Sequence, residues 1–136
     1  FLHSHSYTGN PLACAAALAS LAVFRDDDIL ARNRTTARAM ATLAEPLAAH
    51  RHVADVRQAG MVLAFELTRD GEKATPFPAA ARVGLKAYRA ALARGVVLRP
   101  LGDVLYWMPP YCVDEEHLQL LADVTRHAIE DATACA

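Results

Sequence analysis

The run PLACAAALASLAVF, from Pro11 to Phe24, carries no charge and a single hydroxyl, Ser20. A helix on a protein surface needs a polar stripe along one side, and this run has none. It predicts a helix from Pro11 to about Arg25, buried on most sides, whose alanines let neighbouring backbones approach closely; Cys14 reads as a small core residue within it. The run is shorter than the roughly 20 apolar residues that cross a bilayer, and it lacks the basic flank of a signal peptide. Asn10 suits the N-cap and Pro11 the first helical position, where a missing N–H costs nothing. Ahead of them stand Ser6, Tyr7, Thr8 and Gly9. This arrangement has two readings: plain capping, or a helix start that gathers donors around an anion. The chain opens at Phe1 and enters the helix almost at once, as a piece of a longer protein would.

Asp26, Asp27 and Asp28 suit the start of a second helix, roughly Ile29 to Ala49. Leu30, Ala37, Met40, Ala44 and Leu47 share one face of it. Arg32, Arg34 and Arg38 fall elsewhere, in solvent, and Pro46 kinks or shortens the end. From His52 the period changes. Met61, Leu63, Phe65 and Leu67 alternate with Val62, Ala64, Glu66 and Thr68, the pattern of a strand with one buried face. Val53 to Arg57 is a weaker strand before it, joined at Gly60. RDGEKATPFP is a loop. A third helix from about Ala79 to Arg94 stops at Gly95, a C′ glycine. Val96 to Arg99 and Val104 to Met108 form a hairpin through Pro100-Leu101-Gly102-Asp103. Pro109 and Pro110 end the pairing, and Asp114 caps a last helix that buries Leu118, Leu121, Ala122 and Ile129. Helix, helix, strand pair, helix, strand pair, helix implies an α+β sandwich: a small, mostly antiparallel sheet covered by helices.

The chain of 136 residues is 54% hydrophobic and 21% charged, a globular balance. A net charge of −1 gives no case for nucleic acid or an anionic membrane surface as partner. Cys14, Cys112 and Cys135 are far apart, which argues against a disulfide framework and for a cytoplasmic protein. His3 with His5, and His50 with His52, are H-x-H pairs, but no third and fourth ligand stands at useful spacing, so no metal is expected. His117 and His127 lie on the last helix as surface residues or cap partners. Glu115 and Glu116 fit its first turn. Neither Lys73 nor Lys86 has the setting of a desolvated catalytic amine.

The stretch GVVLRPLGDVLYWMPPY holds the other candidate. Arg99 sits near a strand end, with Tyr106 and Trp107 on the returning strand. A guanidinium can clamp a carboxylate through two parallel hydrogen bonds. Arg99 either holds an organic acid in this way or pairs locally with Asp103.

SYTGNPLACAAALA resembles the segment of class III pyridoxal-phosphate aminotransferases that opens a long helix after the cofactor-binding domain. LRPLGDVLYWMPPY is similar to the C-terminal signature of one branch of that family, the adenosylmethionine–8-amino-7-oxononanoate aminotransferases of biotin biosynthesis, and the likeness runs over nearly the whole chain, HVADVR and the final helix included. The resemblance implies the C-terminal small domain of a fold-type I transferase, residues 26–136, preceded in residues 1–25 by the end of the cofactor-domain loop and an Ala-rich interdomain helix. It implies a homodimer in which Ser6, helped by the Tyr7 amide, reaches the phosphate of the partner's pyridoxal 5′-phosphate. The family often has Thr at the position of Ser6, and a proline where this chain has His5. Arg99 would take the carboxylate of 8-amino-7-oxononanoate, with Tyr106 lining the same end, and S-adenosylmethionine would donate the amino group. The Schiff-base lysine of such enzymes lies upstream, so the resemblance places no catalytic residue in this segment.

Overall fold

In a computed structural model, residues 4–134 are described. His3 and Cys135 lie outside them, so the first H-x-H pair cannot be followed further. The chain divides into two compact units, residues 1–32 and 33–136.

The first unit is built on α1, Pro11–Asp26. Asn10 caps it: its Oδ1 accepts the N–H groups of Leu12 and Ala13 at 3.0 and 3.1 Å. The helix lies where the sequence put it, but it buries no residue. Leu12 is 80% exposed and Leu18 69%, and Cys14 is exposed as well, against its reading as a core residue. Lack of a polar stripe makes a helix want cover on every side; in α1 only Ala22 and Phe24 are even partly covered. The three aspartates sit between helices rather than inside the second one. Asp26 ends α1 and pairs with Arg25, Asp27 is its C-cap, and Asp28, at φ +46°, accepts the first N–H groups of the next helix, those of Ala31 and Arg32.

That next helix, α2 (Ile29–Ala48), contains Pro46 and ends two residues after it. Its face buries Met40, Ala44 and Leu47, with Ala37 partly covered, while Leu30 is exposed. In the second unit β1 (Val53–Ala59) and β2 (Val62–Leu67) form a hairpin around Gly60 and Met61; Gly60, at φ +56°, supplies the positive φ that so tight a turn demands. A short 3-10 turn, Ala79–Ala81, precedes α3 (Val83–Leu92). The single helix expected over Ala79–Arg94 is thus broken at Arg82, a left-handed residue at φ +47°. Gly95, at φ +81°, closes the region as expected.

β3 (Arg99–Leu101) and β4 (Val104–Trp107) turn about Gly102 and Asp103. Arg99 therefore begins its strand instead of ending it, and Val96–Leu98 stay outside the ladder. Their would-be partners lie at and beyond Trp107, where Pro109 and Pro110 stop the strand. The sheet order is β1-β2-β4-β3, every pairing antiparallel. α4 (Glu115–Thr133) closes the fold, capped by Asp114.

One core holds the second unit together. Leu63, Phe65 and Leu67 of β2 and Leu105 and Trp107 of β4 join Met40 and Leu47 of α2, Val83 and Ala87 of α3, and Ala128 and Ile129 of α4. Phe65 and Trp107 meet edge to face at 4.9 Å, a geometry that puts ring edge against ring face. Among the described residues no helix is long and apolar enough to cross a membrane.

Candidate functional site

Because a strand's side chains alternate, burying Leu63, Phe65, Leu105 and Trp107 leaves their neighbours on the other face of the sheet. On that face the register lines up one row across all four strands. Arg57 of β1 faces Ala64 of β2, Ala64 faces Tyr106 of β4, and Tyr106 faces Arg99 of β3. The next row is Asp55, Glu66, Val104 and Leu101. The two residues singled out in the hairpin, seven apart in sequence, are thus direct cross-strand partners.

Arg99 is exposed and makes no ion pair among the described residues, while Tyr106 is half-buried. Asp103 does not take Arg99. Its Oδ1 instead accepts the N–H of Gly84 at 3.2 Å and ties the hairpin turn to the first turn of α3. Trp107 belongs to the core, where its indole N–H donates to Thr125 Oγ1 at 2.9 Å and that hydroxyl donates to the Leu121 carbonyl at 2.6 Å. The ring points its polar edge into α4, and Tyr106, one residue earlier, is left for the open face.

At the far end of the row stands Arg57, which the sequence reading passed over. Its Nη1 donates to Asp55 Oδ2 and to Glu66 Oε2, both at 2.9 Å. The bond to Glu66 above all, offset in part by desolvation, raises the guanidinium pKa further above its already high value. The alternation that exposes Glu66 also exposes Arg57 once the Gly60 hairpin fixes the register, so the signal was present in the strand pattern. The open face accordingly holds one neutralised arginine and one unengaged arginine, with Ala64 and Tyr106 between them.

Ser6 and Tyr7 lie in the first unit, in an exposed turn. Thr8 N–H donates to the His5 carbonyl at 3.0 Å, and His5 N–H to Thr8 Oγ1 at 3.0 Å. The Tyr7 amide donates to His5 Nδ1 at 3.2 Å. Asn10 takes the free N–H groups of α1, so of the two readings of SYTGN the helix end itself follows the capping one. Any anion met here would be met by the turn and its hydroxyls.

The remaining candidates have local roles. Lys73 lies 3.7 Å from Asp70. His117 Nδ1 lies 2.6 Å from Asp114 Oδ1, which also accepts the His117 amide at 2.9 Å. These hydrogen bonds lower the Asp114 pKa and raise that of His117. No group of three or more metal-binding side chains occurs among the described residues.

A family model described as aminotransferase class-III matches residues 2–129. The adenosylmethionine-8-amino-7-oxononanoate aminotransferase of Nitratidesulfovibrio vulgaris is 45% identical over 129 residues, which cover 95% of this chain and 24% of that protein. The protein of the same name from Geobacter sulfurreducens is 40% identical over 133 residues, 98% of this chain and 29% of the relative. Among solved structures, the enzyme of that name from Methanocaldococcus jannaschii superposes with a TM-score of 0.88 at 32% identity, covering 96% of this chain and 30% of that one. The chain thus spans between a quarter and a third of the length of the proteins it matches.

Proposed function

The chain belongs to the class-III aminotransferase family, and on that premise we propose that it is the C-terminal part of a pyridoxal-phosphate enzyme that transfers the amino group of S-adenosylmethionine to 8-amino-7-oxononanoate. The observation that carries the reading is the pairing of Arg99 with Tyr106 on the open sheet face, with no carboxylate among the described residues in an ion pair with the arginine. Residues 26–136 are read as the small domain, and residues 1–25 as the connection from the cofactor-binding domain.

Arg99 offers two parallel N–H donors to the carboxylate of the keto acid, a contact worth about 1.5–3 kcal/mol net. The Tyr106 ring beside it covers the first carbons of the alkyl chain and adds an O–H. Fixing the acid end of a long flexible substrate limits where its distant ketone can lie, which is how a residue remote from the reacting carbon speeds the reaction. Asp103 and Thr125 contribute by holding the hairpin, Asp103 against α3 and Thr125 through Trp107.

The turn before α1 fits a phosphate in part. Ser6 is exposed, whereas the Tyr7 amide already donates to His5 Nδ1 and must exchange that partner to serve an anion. Ser6 and Tyr7 are accordingly assigned to the cofactor phosphate held by a second copy of the parent chain. Pyridoxal phosphate, when bound, supplies the electron sink that amino transfer needs. Neither lysine of the segment, Lys73 or Lys86, is assigned to it, and the segment alone is expected to be inactive.

The test uses the full-length parent loaded with cofactor. Adenosylmethionine alone should bleach the cofactor's visible band, and 8-amino-7-oxononanoate should restore it. In Arg99→Ala the KM for the keto acid should rise about ten- to hundredfold, the equivalent of the contact energy above, with little change for adenosylmethionine. Bleaching by an ω-amino acid or a diamine but not by adenosylmethionine would replace this donor and substrate with those of another class III enzyme.

A further inference from the structure

The segment His50–Val53 crosses from the end of α2 into β1 beside the loop that follows β2. There His50, Arg51, His52, Arg69, Phe77, Glu130 and Thr133 line an open cavity of about 490 Å³ whose surface is mainly polar. It is separate from the Arg99–Tyr106 face. Two chain segments, 50–52 and the loop at Arg69, bring cationic or cationisable groups to it, and neither Arg51 nor Arg69 makes an ion pair among the described residues. The one carboxylate in the wall, Glu130, is already engaged on its own helix, by Arg126 at 3.2 Å and His127 at 3.2 Å. Four nitrogen-bearing side chains therefore face a cavity with little negative charge to answer them.

The two histidines are held in different states. His50 Nδ1 accepts the His52 N–H at 3.2 Å, so it presents a lone pair there and carries its proton on Nε2. Charging His50 would break that bond; burial and the neighbouring His52 also push its pKa down. His52 Nδ1 lies 3.1 Å from the Thr68 carbonyl, which can only accept, so His52 is protonated at Nδ1 and has a free Nε2. The cavity thus combines a neutral imidazole donor, a second imidazole whose ring is steadied by Phe77 at 5.9 Å, and two guanidiniums. This donor set disfavours a cation, since both arginines repel one, and matches several oxygens sharing more than one negative charge.

We propose that the cavity lined by Arg51, Arg69, His50 and His52 binds a small, multiply charged oxyanion of the phosphate class. Arg51 and Arg69 supply the charge and forked donors, and His50 contributes its Nε2–H without charging. Free phosphate, pyrophosphate and the phosphate end of a larger metabolite share this chemistry.

The experiment is calorimetric titration of pyrophosphate, then of inorganic phosphate, into the full-length protein in chloride buffer, with any cofactor site kept saturated. Wild type should show a saturable site. Arg51→Ala with Arg69→Ala should weaken it at least tenfold, and His50→Ala several-fold, while replacing both arginines by lysine should restore part of the loss. All four side chains are exposed or half-buried, and a circular-dichroism spectrum of each variant checks that it is folded. Pyrophosphate binding with phosphate failing to bind would point to an extended phosphorylated ligand. No saturable binding in wild type, or equal binding in the double alanine variant, would overturn the proposal.

Discussion

Replacing Gly84 by alanine would drive a methyl group into the backbone of the hairpin that carries Arg99 and Tyr106. A Cβ at that position would lie 2.1 Å from the Gly102 carbonyl oxygen and 3.3 Å from Pro100 Cβ, where ordinary contact begins at 3.4 Å. The nearest atom is main-chain, so no rotamer change relieves the clash. The turn and the start of α3 must part by more than 1 Å, and the Gly84 N–H bond to Asp103, 3.2 Å long, lengthens with them. Overpacking of this kind costs about 1–3 kcal/mol. The gain from alanine's helix propensity, at most about 1 kcal/mol, offsets part of it. The net expectation is a loss of about 1–2 kcal/mol in denaturant unfolding, together with faster amide exchange at Leu101 and Val104, which pair across the turn. Gly95→Ala is the control. It has nothing within 4 Å but sits at φ +81°, so it costs about 1–2 kcal/mol through backbone strain alone. Both variants lose stability, and only Gly84→Ala should also raise the KM for the keto acid. Wild-type stability and wild-type exchange in Gly84→Ala would refute the idea that close approach of α3 clamps this hairpin.

Thr125→Val keeps the side-chain volume but leaves the Trp107 indole N–H buried without its acceptor; unfolding measurements should show a loss of about 1–3 kcal/mol, and an unchanged midpoint would contradict it. The Asp114–His117 contact works in a definite pH window. Asp114, with its pKa lowered, contributes stability above the ordinary carboxylate range and loses it as pH falls through its folded value; His117, raised, contributes fully below the ordinary imidazole value and loses it as pH rises through its folded one. In Asp114→Asn the His117 ring, followed by NMR, should therefore titrate lower than in wild type, and an unmoved midpoint would remove the cap interaction as the cause. Ser6→Ala in the full-length parent should speed pyridoxal-phosphate dissociation, whereas unchanged release would leave Ser6 outside the proposed phosphate site.

Local chemistry made much of this fold readable. Asn10, Gly95 and Asp114 act at single positions through their own hydrogen bonds or φ values, and β2 declares its buried face by alternation. The failures all needed a distant partner. Ala79–Arg94 contains only Gly84 as a weak spot in its first turns, yet it breaks two residues earlier at Arg82, and the helix that follows begins at Val83 with Gly84 pressed on a hairpin nearly twenty residues downstream. Val96 and Leu98 have the composition of a strand, and Leu98 is buried, but a strand is defined by its ladder, and β4 ends at Trp107 before it can extend the pairing along them. Burial of α1 was inferred from composition alone, and composition says that a helix needs cover without saying which chain supplies it.

The hairpin was legible in the sequence, but its register was not: a turn over all of Pro100–Asp103 would set Arg99 against Val104. A two-residue turn at Gly102-Asp103 fixes register differently, so Leu101 faces Val104 and Arg99 faces Tyr106. Parity does the rest: Trp107 fills the core, so Tyr106 takes the other face, and Arg99 opposite it shares that face. Moving the turn by one residue would bury the arginine and expose the tryptophan, costing both the core and the proposed carboxylate clamp. The same short hairpin is thus under two constraints at once, and the contacts that hold its register, Asp103 to Gly84 and Trp107 to Thr125, involve neither Arg99 nor Tyr106 of the proposed substrate face. Substitutions there should change how well the acid is held without touching it, which separates positioning from binding in any kinetic comparison with Arg99→Ala.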